Sequence, residues 1–200
     1  MSMKVLTVPV TPFQQNCSLL ICEQTGRAAV VDPGGELDRI VAAAEQAGVV
    51  VEKILVTHAH IDHAGGVAEL AAELGVPVEG PHRDDQFWID LLAEQSQRFG
   101  FPPAQAFTPN RWLDAGDTVR VGQLSLHVIH CPGHTPGHVV FYQPQVFMYG
   151  LRCGGFAAAK AECVAAGRDG PRSSERGSLF LASVLRRRLG LPSRRRQRRH

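Results

Sequence analysis

The 200-residue chain contains no apolar run long enough to span a bilayer. Its opening residues, Met1-Ser2-Met3-Lys4-Val5, form no secretory leader. These two lacks argue against a membrane anchor and against export. Cysteine is sparse and unpatterned. The five residues Cys17, Cys22, Cys131, Cys153 and Cys163 are odd in number and share no framework spacing. A disulfide scaffold is therefore not expected, and the predicted location is cytoplasmic, in a reducing compartment. No internal repeat is present, which removes solenoids and propellers. What remains is an ordinary globular composition, 44% hydrophobic and 20% charged. The length suits one domain with a core of its own.

The formal net charge of +2 conceals a division. Residues 1–148 hold 8 Lys and Arg against 16 Asp and Glu, a net of −8. Residues 149–200 hold 13 against 3, a net of +10. Such asymmetry marks a change of role or of origin along the chain. We accordingly divide it into a folded part, 1–145, and an atypical Arg-rich tail, 146–200, in which regular structure is not expected except for a possible helix at 179–189. The basic run at 194–199 suits a solvated tail better than a nucleic-acid site, because no aromatic residues interleave it.

Within the first part, alternation predicts strands at 4–10, 16–23 and 27–31. Asp32-Pro33-Gly34-Gly35 breaks the pattern. Apolar residues at helical spacing follow from Glu36, with Gly48 as the stop. Residues 50–57 read as a buried, β-branched strand. A helix at 67–74 ends at Gly75, and a short strand at 76–79 leads to a helical stretch over 84–99. Phe87, Leu91 and Leu92 form the apolar stripe of that stretch, and Phe87 and Trp88 are expected in the core. Pro102, Pro103 and Pro109 mark a long loop. A hairpin over 118–121 and 123–130, a Gly/Pro-rich loop at 131–138 and a strand at 139–142 complete the order. Strands mixed with helices imply a layered α/β architecture.

Chemistry concentrates where the strand at 50–57 ends, in Thr57-His58-Ala59-His60-Ile61-Asp62-His63. Alternate residues leaving a strand share a side, so His58 and His60 can face one cation. Imidazole suits zinc and related metals, and a carboxylate compensates charge. Asp62 and His63 then point elsewhere, which suits a second metal. Gly65 and Gly66 let the backbone turn close to the ligands. His134, in its own loop, is the natural third histidine. Three histidines leave a vacant position for water, whose pKa zinc brings to about 7. The resulting hydroxide can attack a carbonyl, with the catalytic roles falling to Asp62, His58 and His60. A lone histidine here would be unremarkable; three with an aspartate in so short a stretch point to a metal site. His82, His127 and His130 read as ordinary surface or strand residues, and Cys131 as a small buried one.

The 57–63 segment resembles the His-x-His-x-Asp-His signature of the metallo-β-lactamase fold. Asp32-Pro33-Gly34-Gly35 is similar to that fold's upstream Asp-Pro-Gly element, and 132–138 to its later histidine loop. Within that superfamily the chain looks most like the small type II glyoxalases, the hydroxyacylglutathione hydrolases. The resemblance covers residues 1 to about 145. It implies an αββα sandwich with the metal site at one sheet edge, and hydrolysis of a small-molecule thioester such as a glutathione conjugate of a 2-hydroxy acid. It assigns His58, His60 and His134 to one metal, Asp62 and His63 to a second, and Asp32 to support of the ligand loop. For His138 it suggests orientation of its loop rather than ligation. Zinc is the expected ion, one or two per chain, with iron or manganese compatible.

Two expected features are missing. The family pattern has a bridging aspartate about twenty residues after His134, and a last histidine in a Pro-Gly-His-Gly loop. Position 153 is a cysteine, the only later aspartate is Asp169 and the only later histidine is His200. The loss coincides with the charge break, which suggests a shift of reading frame near Gln145 and an αββα sandwich incomplete in its C-terminal half. The alternatives are a crippled chain that binds one metal at most, and an iron-dependent persulfide dioxygenase on the same fold, whose pattern needs the same aspartate.

Overall fold

The computed structural model describes residues 2–143 and the backbone of 147–149. The expectations for the Arg-rich tail, including the helix at 179–189, lie outside the described residues. Strands β1 (Met3–Val10), β2 (Gln15–Cys22) and β3 (Arg27–Val31) form an antiparallel meander. Helix α1 (Leu37–Gln46) then carries the chain across to β4 (Val50–Leu55), parallel to β3. Helices α2 (Ile61–Ala64) and α3 (Val67–Leu74) return it to β5 (Val78–Glu79), parallel to β4. A 3₁₀ turn (Arg83–Asp85), α4 (Gln86–Asp90) and α5 (Leu92–Phe99) follow. The second sheet is antiparallel: β6 (Thr118–Val121), β7 (Leu124–His130), β8 (Val139–Gln143) and β9 (Phe147–Tyr149). No helix among the described residues is long and apolar enough to cross a membrane.

The alternation of β2 explains the layers. Leu19 and Ile21 face one way, into a core shared with Ile40 and Ala44 of α1, Val67 and Leu70 of α3, Ile89 of α4 and Leu92 of α5. Leu20 and Cys22 face the other way, with Ala29, Val31 and Leu55, against Val119, Val121, Leu126, Val128 and Phe141 of the second sheet. The first sheet is thus buried on both faces, which is why its strands read as nearly continuous apolar runs. Each fully buried Leu or Ile here contributes about 1.5–3 kcal/mol. Among the described residues the layers are helix, sheet, sheet. The outer helical layer expected of an αββα sandwich falls outside them.

Three local expectations need correction. The strand read over 76–79 forms only at Val78–Glu79. The stretch at 84–99 is not one helix but a 3₁₀ turn and two helices broken at Leu91. Its buried face carries Ile89, Leu92, Gln95 and Ser96, while Phe87 is 44% exposed rather than in the core. The break turns α5 so that a polar side chain, Gln95, faces inward, for a reason that lies in the site.

Candidate metal centre

The site grows from the ends of β3 and β4. Asp32 follows β3 in the left-handed region, with φ 53°, a conformation that aspartate tolerates better than most residues. Its buried carboxylate crosses to the end of β4. One oxygen accepts the Thr57 N–H at 2.7 Å; the other accepts the Thr57 hydroxyl at 2.6 Å and faces His63 Nδ1 at 3.0 Å. The Gln15 amide lies 3.3 Å from the same His63 nitrogen.

These bonds fix tautomers. Thr57 Oγ1 gives its proton to Asp32, so it accepts from His58 Nδ1, 3.0 Å away. His58 therefore carries its proton on Nδ1, and the Nε2 lone pair is left without a hydrogen-bond partner although fully buried. A buried lone pair of this kind costs free energy unless something binds it. Asp32 likewise holds the proton of His63 on Nδ1 and turns Nε2 toward Asp62 Oδ2, 3.5 Å away.

His58, His60 and His134 offer ligand atoms that all lie within 4.8 Å of one another. His60 Nδ1 and His134 Nε2 face each other at 3.0 Å. The three rings meet edge to face, with centroids 4.6–4.9 Å apart. His58 forms a buried floor and His134 an exposed rim, so one side is open to solvent. Burial, then the neighbouring histidines, lowers the pKa of His58 well below the usual value and that of His60 to about 3. Burial lowers His138 to about 4. Neutral imidazoles are what metal ligation requires. The donor set therefore fits a borderline transition metal: His58 and His60 held neutral, an orphaned lone pair and a carboxylate alongside.

Asp32, His58 and His63 also cluster, but the Asp32 oxygens are committed to Thr57 and His63, which makes Asp32 a support rather than a ligand. The Asp32–Gly35 loop packs against α2 so closely that a Cβ at Gly34 would stand 1.6 Å from the Asp62 carbonyl oxygen. His138 Nε2 is buried without a hydrogen-bond partner, its ring 5.3 Å from that of His58.

Outside the centre, His82 stacks on His130 with centroids 4.1 Å apart and planes inclined by 13°. Lone pairs in near-parallel rings diverge from a common point, and His82 Nδ1 already accepts the Asp84 N–H, so this pair with Asp84 is a poor cation site. Trp88 meets the His60 ring edge-on at 4.9 Å. A hollow of about 400 Å³ lined by Lys4, Leu6, Val8 and Arg39 lies apart from the histidines.

Sequence reasoning missed two residues. Gln95 of α5 accepts the Ile61 N–H at 3.0 Å and donates to the carbonyls of Ala59 and Trp88. Asp85 is wholly buried. One of its oxygens accepts from the Ala59 N–H at 3.0 Å and the Thr135 hydroxyl at 2.8 Å; the other accepts the Gly137 N–H at 2.7 Å. Burial raises its pKa, opposed by those three donors. Both residues sit in a polar stretch that resembles a solvated helix face, and only their long-range partners reveal them.

Two sheets packed face to face, helices over one of them and a histidine cluster at the strand ends define a metallo-β-lactamase architecture. The metallo-beta-lactamase superfamily model matches residues 10–146, and the chain belongs to that superfamily. It is 40% identical over 142 residues to the hydroxyacylglutathione hydrolase GloC of Haemophilus influenzae, a match covering 70% of this chain and 66% of that protein. Among solved structures, TTHA1623 in a di-iron-bound form superposes with a TM-score of 0.66 and 29% identity, covering 94% of this chain and 87% of that one. The BLEG-1 B3 metallo-beta-lactamase superposes with a TM-score of 0.63 and 28% identity, covering 71% and 68%. The chain thus spans just under two thirds of the GloC relative's length.

Proposed function

We propose that this chain is a metal-dependent hydrolase of a small-molecule thioester, with a glutathione conjugate of a 2-hydroxy acid as the favoured substrate. The reading rests on one observation above all: the buried, unpartnered Nε2 of His58 lies beside the facing nitrogens of His60 and His134, at a rim open to solvent. The name of the GloC relative supports the thioester. His58, His60 and His134 would hold one metal ion, and Asp62 with His63 would contribute to a second. Zinc is our first choice for a nitrogen-rich site; iron, present in the TTHA1623 structure, and manganese suit the same donors. Bound there, the ion would lower the pKa of water and polarise the scissile carbonyl. Asp32, through Thr57, keeps the His58 lone pair directed at the site. Asp62, partly exposed at the rim, is the carboxylate we assign to orient water. Nucleic acid and membrane have no part in this reading, and cysteine usage alone leads us to place the chain in the cytoplasm.

A second reading, a chain that binds one metal and does not turn over, is favoured by one observation. The aspartate and final histidine that would complete the Asp62–His63 pair in the family pattern are absent from the sequence, which has Cys153 near the aspartate's position. Elemental analysis and hydrolysis of a lactoyl thioester, with and without added zinc, separate the two. We expect metal-dependent hydrolysis that is abolished in His58→Ala. Detectable metal at no more than one ion per chain with no hydrolysis would establish the second reading, and no metal at all would remove both.

A further inference from the structure

The ligands of the proposed metal reach it from two separate loops, 57–63 after β4 and 131–138 between β7 and β8. Asp85 bridges them. Its Oδ2 binds the amide of Ala59, the residue between His58 and His60, and the hydroxyl of Thr135, the residue after His134. Its Oδ1 binds the Gly137 amide. The bridge is built to close tolerance. The His82 N–H donates back to the Gly137 carbonyl at 3.1 Å, and a Cβ at Gly137 would stand 2.5 Å from the Asp85 nitrogen and 2.7 Å from its Cβ. With no exposure to solvent, the carboxylate has no water to exchange for these donors, so its geometry is dictated by the two loops and theirs by it.

We propose that Asp85 is a positioning residue: it sets His134 against His58 and His60, and so governs how tightly the three histidines hold a metal. This rests on the metal-hydrolase reading above. Asp85 touches no ligand nitrogen and acts through the backbone and Thr135. The carboxylate accepts three hydrogen bonds; an amide in its place presents N–H groups to at least one of those donors. Removing an outer partner of a metal ligand weakens metal affinity by about 10–100-fold.

The test uses the full chain, metal-stripped and titrated with cobalt(II) against a competing chelator. Visible absorption reports the ligand geometry, and urea unfolding of the metal-free protein reports the fold. Asp85→Asn should weaken cobalt binding about 10–100-fold and alter the absorption bands. Thr135→Val removes one donor and should weaken binding by less, and it serves where Asp85→Asn does not fold. Thr135→Ser retains the hydroxyl and should restore wild-type affinity and spectrum. Equal affinity and spectrum in wild type and Thr135→Val or Asp85→Asn overturns the assignment. So does a loss in Thr135→Val that Thr135→Ser fails to repair. Wild-type protein that takes up no cobalt overturns the hydrolase reading together with this one. Cobalt uptake without thioester hydrolysis overturns only the substrate, and the comparison of variants stands.

Discussion

Replacing Gly34 by alanine should injure both the fold and the site, and Gly35→Ala, one residue on, should injure neither. At Gly34 the added Cβ would lie 1.6 Å from the Asp62 carbonyl oxygen and 2.3 Å from its carbon, both well inside the 3.0 Å that real Cβ contacts respect. Both partners are backbone, so no rotamer change relieves the overlap. At Gly35 the nearest atom is Thr11 Cγ2 at 3.5 Å, an ordinary contact. Overpacking a tight interior costs about 1–3 kcal/mol and occasionally more. With backbone on both sides we expect about 3 kcal/mol, a fall in Tm of about 6–12 °C for a domain of this size. The displacement falls on Asp62 and His63, so metal uptake should weaken as well. Thermal unfolding of metal-free wild type, Gly34→Ala and Gly35→Ala, followed by metal titration, measures both effects. If the two alanine variants unfold together with wild type, the close packing of the Asp32–Gly35 loop on α2 is refuted.

Removing the Asp32 carboxylate strands the Thr57 amide and the Thr57 hydroxyl in a buried site. Each unpaired buried group costs about 1–3 kcal/mol, so Asp32→Ala should lower urea stability by about 2 kcal/mol or more; a loss under about 1 kcal/mol would contradict the hydrogen-bond reading. The metal-stripped chain should also be acid-sensitive. His60 and His138, with pKa values near 3 and 4 in the fold and an ordinary value of 6.5, bind fewer protons folded than unfolded. Their neutral forms favour the fold above pH 6.5, and that contribution is lost as pH falls from there toward 4. Urea midpoints measured across that range should decline, and a flat profile would show that the imidazoles are not confined. Chelation should reverse any metal-induced stabilisation, about 2.7 kcal/mol where free metal stands at 100 times its Kd, as read from the Tm with and without chelator.

The strands and the ligand loop were legible because their signals are local. β2 and β3 alternate or run apolar, and His58, His60, Asp62 and His63 crowd one turn. Asp32 stood out through its Pro-Gly neighbours. His134 was read as the third histidine from its own Gly/Pro-rich loop, a reading the family resemblance then matched, and the fold brings it to His58 and His60. Asp85 and Gln95 were illegible for the opposite reason. Asp85 finds its donors 26, 50 and 52 residues away, and nothing nearby distinguishes it from Asp84 or Asp90. The break at Leu91 was hidden too: a helical period over 84–99 does not reveal that burying Gln95 under the ligand loop outweighs continuing one helix.

Loop 57–63 hangs from the first sheet, and loop 131–138 from the second. A cation gripped by His58, His60 and His134 would therefore be a rivet through the seam of the sandwich, and prising the layers apart would mean releasing the ion. The time a metal stays bound would then double as a clock for how often this protein breathes open.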